Sequence, residues 1–140
     1  MAGPNERLEA GRAVRRQLLG DDYVDKSAAT AWSFASPFTD LMTEFAWGTI
    51  WTRPGLSHRD RSLLNIGILA ALNRDEDLTT HLGLAVKNGL TLAEIQEAIL
   101  QIGVYCGGPA GIAILRCARK AFDQLGIEVD DEALTPHPRP

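Results

Sequence analysis

Residues 91–106 read TLAEIQEAILQIGVYC, and this run decides the fold class. Thr91 and Glu94 stand three apart at its start. At that spacing a threonine hydroxyl and a glutamate carboxylate satisfy each other's backbone N–H groups in a capping box. Leu92, Ile95, Ile99, Ile102 and Cys106 then recur at intervals of three and four, which makes one face of a helix apolar. Gly107-Gly108-Pro109 breaks that helix, and Pro109 suits the first turn of a last one running to about Leu125, before Gly126.

Working back from Thr91, Asn88-Gly89 is a C-cap signal for a helix over 75–87. Ser57 is a good N-cap for a helix over about 58–72, with Asp60 placed to favour its first turn. That helix is apolar nearly all the way round (Leu63, Leu64, Ile66, Ile68, Leu69, Leu72), which predicts a central position. Residues 38–52 are helical in pattern and stop at Arg53-Pro54-Gly55. Residues 25–36 read as a short helix or extended arm closed by Ser36-Pro37, and residues 5–19 as a polar, Arg-rich helix ended by Gly20. No strand pattern of comparable strength competes. The expectation is an all-α, single-domain bundle of about six helices. It comprises an N-terminal helical arm (1–36), a helical core (37–126) and a polar, Pro-rich tail (127–140) that is frayed or exchanged between subunits.

With 140 residues the chain has room for one domain with a real core. A net charge of −4 counts against nucleic acid or an anionic membrane as the main partner, since both are recognised through basic patches. Cys106 and Cys117 stand eleven apart with no CxxC pair, which fits a reduced, cytoplasmic protein. His58, His81 and His137 are scattered, so no metal-site spacing is present.

On a helical wheel of residues 38–52, Phe38, Leu41, Phe45 and Gly48 fall on one side, the expected core face. Asp40, Glu44, Trp47 and Trp51 fall on the other. Two indoles left in water would each forgo roughly 2–3 kcal/mol of burial, so this second face is expected to meet another subunit or a pocket formed there. His81 lies on the stripe Leu78–His81–Leu82–Ala85 and points inward. It is either a hydrogen-bonded structural histidine or a general acid whose pKa is lowered by burial and adjustable by a bound anion. Arg53, between the tryptophan face and Pro54, is either a solvated loop residue or a bidentate carboxylate clamp. Arg59 and Arg61 are weaker versions of the same idea, because a cation at a helix N-terminus needs an anionic partner. Gly103, Gly107, Gly108 and Gly111, around Tyr105-Cys106, suit tight helix packing or close approach of a ligand to the backbone.

From Phe38 to Ala110 the chain resembles the carboxymuconolactone decarboxylase family. The likeness is carried by AWG-x-x-W-x-RPGL at 46–56 and by the order R-S-L-L, AALNR, His81, NGLT-x-x-E-I-x-E and Y-C-G-x-P. The resemblance implies an all-helical, alkylhydroperoxidase D-like protein assembled as trimers or hexamers. It also implies cofactor-free decarboxylation of 4-carboxymuconolactone to the oxoadipate enol-lactone, a step of aromatic catabolism in the beta-ketoadipate pathway. On this likeness His81, Arg53 and the Trp47–Trp51 pair match the family's motif residues, and the chemistry then expects His81 to deliver the proton, Arg53 to anchor a substrate carboxylate or the oxyanion, and Glu44 to orient a basic group. Trp47, Trp51, Tyr105 and Cys106 would contact substrate. The family commonly continues Ala-Ala-Asn after the proline, where this chain has Ala110, Gly111 and Ile112, so a more apolar pocket with a different carboxylated lactone or a biosynthetic intermediate is an alternative, as is a family member repurposed to isomerise or cyclise a small acid. A thiol peroxidase would need a second cysteine where Pro109 stands, and a non-catalytic binding protein is a further alternative.

Overall fold

The computed structural model describes residues 2–135, whose regular structure is entirely helical, with no strand among them. His137, in the expected tail, lies outside the described residues. Seven α-helices occur: α1 (Pro4–Leu19), α2 (Asp21–Ala29), α3 (Ser36–Met42), α4 (His58–Ala71), α5 (Asp75–Lys87), α6 (Leu92–Cys106) and α7 (Gly108–Leu125). A 3-10 turn (Ser33–Ala35) precedes α3, and a π-helix (Thr43–Ile50) continues it. The chain groups into two compact units that divide between Ser57 and His58, so residues 37–57 group with the N-terminal helices.

In the N-terminal unit α1 lies against the π-helix, and two glycines set the approach. A Cβ on Gly11 would overlap the Thr43 carbonyl, and one on Gly48 would overlap the Arg7 carbonyl. Gly20, at φ +90°, turns the chain from α1 into α2. Ser36-Pro37 opens a helix instead of closing one. A proline's missing N–H and fixed φ are harmless in a first turn, so this dipeptide starts α3.

The wheel for 38–52 places the buried side wrongly. Of its expected core face only Gly48 is buried, while Phe38 is 66% exposed and Leu41 and Phe45 are exposed as well. Trp51, from the opposite face, is 6% exposed. Two physical causes combine. The N–H of Trp51 bonds to the Ala46 carbonyl five residues back, at 2.9 Å, so an α-helical wheel drifts out of phase along this segment. And α1 is admitted where Gly48 has no side chain and Gly11 passes over the Thr43 backbone, not where the segment is most apolar.

The second unit holds the main core. Ile66, Leu78, Leu82, Ile95 and Ile114 are essentially inaccessible, and each contributes about 2 kcal/mol through burial. The Thr91–Glu94 capping box forms in both directions, at 3.0 and 3.1 Å. On α7, Gly111 meets α6 at Gly103, where a Cβ would find the Gly103 Cα at 3.6 Å, so this glycine pair serves tight packing. The expectation that α4 is central needs correction. Ser62, Ile66 and Ala70 are buried, but Leu63, Leu64, Ile68 and Leu72 are exposed in the single chain. One face of α4 packs into the core and its second apolar face is left uncovered.

Candidate active site

His81 is held on α5 by the stripe the spacing predicts. Leu78, Leu82 and Ala85 are buried, and the imidazole beside them is half-buried. Burial pushes its pKa below the usual histidine value, because the cation loses water. Asp77, one turn earlier, acts in the opposite direction. The side-chain amide of Asn65, on α4, lies 3.4 Å from Nδ1. Next to this pair, buried Ser62 accepts a hydrogen bond of 2.9 Å from the Asn88 amide, tying α4 to the end of α5. Asn65 is the partner that inspection of the sequence missed. Its only signal was its place among the apolar residues of α4.

A groove of about 700 Å³ lies between α4 and α6, lined by Leu63, Leu64, Gly67, Leu90, Ala98 and Ile102 among others. Arg59 and Glu94 stand in its wall as an ion pair. Glu94 thus has two tasks: Oε2 accepts the Thr91 N–H of the capping box and Oε1 accepts Arg59. Arg59 also pairs with Asp60 at 3.1 Å, so the anions its position requires are supplied. Neither His81 nor Asn65 lines this groove. Tyr105 and Cys106 end α6. Both are exposed, Tyr105 by 80%, whereas Cys117 is buried and its thiol donates to the Asp75 carbonyl at 3.5 Å.

The remaining residues expected at the site belong to the N-terminal unit. Trp47 and Trp51 stack with ring centroids 5.2 Å apart and planes 22° apart. Glu44, one turn before Trp47, is engaged by Arg7 of α1, whose Nε donates to Oε1 at 2.9 Å. Arg53 is exposed two residues after Trp51, and its backbone N–H donates to the Ile50 carbonyl at 3.1 Å. Ile112 is 56% exposed, whereas Ile114 is fully buried. Among the described residues no three His, Cys, Asp or Glu side chains gather to hold a metal ion, and no helix is long and apolar enough to cross a membrane.

The described residues are all-helical, with a half-buried, hydrogen-bonded imidazole on α5 and a stacked tryptophan pair in the N-terminal unit. The profile of the "Carboxymuconolactone decarboxylase family" matches residues 36–120, and the chain belongs to that family. It is 38% identical over 122 residues to a 4-carboxymuconolactone decarboxylase of Acinetobacter baylyi, covering 87% of this chain and 91% of the relative. It is also 38% identical over 118 residues to a nitrosuccinic acid decarboxylase of Metarhizium robertsii, covering 84% of this chain and 82% of that protein. Both relatives are named as decarboxylases, enzymes that break a carbon–carbon bond, and this chain is a carbon–carbon lyase of the family.

Proposed function

We propose that this chain decarboxylates 4-carboxymuconolactone, or a closely related carboxylated lactone, to the oxoadipate enol-lactone, with His81 delivering the proton and no cofactor taking part. The observation that carries this reading is the half-buried His81 imidazole with the Asn65 amide at its Nδ1. The substrate is its own electron sink. When the carboxylate on the carbon bearing the ring oxygen leaves as carbon dioxide, the bonding pair moves through the ring double bond onto the lactone carbonyl. The dienolate that results takes a proton at the carbon alpha to that carbonyl. Three tasks remain for the protein: keeping the departing carboxylate poorly solvated, stabilising the developing oxyanion, and supplying the proton.

His81 takes the last task. Its lowered pKa leaves it neutral in the empty protein near pH 7. A bound carboxylate favours the imidazolium, so substrate itself loads the proton that is then delivered. Arg53 is suited to the second task by its forked guanidinium, and Trp47 and Trp51 supply apolar walls for the first. Tyr105 and Cys106 complete the substrate contacts, and Glu44 orients a basic group, Arg7 being the one that it holds. The protein works in the cytoplasm as a homo-oligomer, a trimer or hexamer. The uncovered apolar side chains of α3 and α4, among them Phe38, Leu64 and Ile68, support such an assembly.

A second reading is decarboxylation of a different small acid that carries its own electron sink. Ile112 in place of an amide supports it, as does a relative of equal identity that is named for nitrosuccinic acid. One experiment separates the two. The protein is incubated with 4-carboxymuconolactone and, in parallel, with nitrosuccinic acid, while ultraviolet absorbance and carbon dioxide release are followed. Turnover of the lactone is the expected result. Turnover of the nitro acid alone would establish the second reading, and turnover of neither would overturn both.

A further inference from the structure

The N-terminal unit contains a cavity of about 690 Å³ bounded by α1, α2, the 3-10 turn and α3, with three arginines of α1 in its lining. Two of these are neutralised. Arg12 donates to Glu9 at 2.6 Å and lies 3.5 Å from Asp40, and Arg16 donates to Asp21 and Asp25 at 3.1 and 2.7 Å. Arg15 differs. It is half-buried in the same wall, yet it makes no hydrogen bond or ion pair to any described residue. A guanidinium that has lost part of its water without gaining an anion is a site for one.

The other lining groups have matching chemistry. Ser27, Ser36 and Thr39, all exposed, also line the cavity, and their hydroxyls likewise make no hydrogen bond to described residues, so each is free to donate to an anion. Trp32 contributes an indole that is 68% exposed and in tilted ring contact with Phe34, with centroids 4.7 Å apart. Asp40, also in the lining, disfavours a second negative charge on any occupant.

We infer that this cavity is a binding site for a small organic monoanion with a flat apolar body, its carboxylate against Arg15 and its ring against Trp32. None of these residues has a part in the proposed decarboxylation, so either conclusion can fail without the other.

Benzoate is the probe. The full chain is titrated with it while the indole N–H resonances of Trp32, Trp47 and Trp51 are followed by NMR, Trp32 being assigned through Trp32→Phe. Benzoate should shift the Trp32 resonance saturably, and benzamide, which has the same ring without the charge, should not. Arg15→Gln should weaken benzoate at least tenfold, and Arg15→Lys, which keeps charge but loses the fork, should weaken it less. Equal affinity in Arg15→Gln would overturn the site, as would equal binding of benzamide or shifts confined to Trp47 and Trp51. If Arg15→Gln does not fold, the benzamide comparison and Arg15→Lys decide the matter.

Discussion

The Asn65 side-chain amide and the Nδ1 atom of His81 stand 3.4 Å apart, one on α4 and the other on α5. An amide N–H pointing at Nδ1 makes that nitrogen the acceptor and places the proton of the neutral ring on Nε2. A hydrogen bond of this kind contributes about 0.5–1.5 kcal/mol, equivalent to at most roughly tenfold in rate. Asn65→Leu should therefore leave a folded protein with turnover up to about tenfold lower and a mixed tautomer at His81 in its imidazole nitrogen NMR shifts. An unchanged tautomer and an unchanged rate would show that Asn65 does not position the ring.

Replacing the imidazole itself should have a larger effect. Proton transfer by a placed side chain is worth about 10²–10⁴-fold, so His81→Gln should lower the decarboxylation rate by that order. The glutamine is close in size and the site is only half-buried, so the circular dichroism spectrum should be preserved. A folded variant with the parent rate would remove His81 from the mechanism.

Burial also fixes a direction in pH. The His81 pKa is lowered from 6.5 in the free protein, and an acid must be protonated to act. The profile of kcat/KM, which reports the free enzyme, should therefore fall as pH rises through a value below 6.5. The profile of kcat, which reports the complex, should fall at higher pH because a bound carboxylate stabilises the imidazolium. Stability follows from the same shift. The unfolded chain binds the His81 proton more readily than the folded one, so stability should be intact above about pH 6.5 and decline as pH falls through and below it. His81→Gln should flatten that part of the curve in urea unfolding measured between pH 5 and 7.

Much of this protein is legible in its sequence because its helices are punctuated locally. Thr91 with Glu94, Asn88-Gly89 and Gly126 act through the nearest few residues, and each stands where the spacing places it. The inward stripe of His81 is a second property of one helix alone. What escaped was everything that depends on which helix meets which. The buried side of residues 38–52 is set by two glycines 37 positions apart and by a π-helical turn, neither of which a wheel contains. Asn65 and the second task of Glu94 escaped for the same reason, since their partners lie on other helices.

Glycine substitutions test that account with opposite signs. Gly48 is buried against α1, and an added methyl would overlap the Arg7 carbonyl, which is backbone and cannot swing aside. The two helices would have to separate, and overpacking of this kind is destabilising by about 1–3 kcal/mol. Gly67 is also helical, but nothing lies within 4 Å of the Cβ it would gain. There alanine only removes the conformational freedom of glycine, a stabilising change of about 1 kcal/mol in a helix interior. Gly48→Ala should therefore lower Tm by several degrees while Gly67→Ala raises it, with thermal unfolding followed at 222 nm. Gly11→Ala, the reciprocal change on α1, should resemble Gly48→Ala, and the double variant should be less than additive because the first methyl already separates the helices. If Gly48→Ala proved as stable as Gly67→Ala, the close passage of α1 across the π-helix would be wrong, and with it the reason that Phe38, Leu41 and Phe45 face outward.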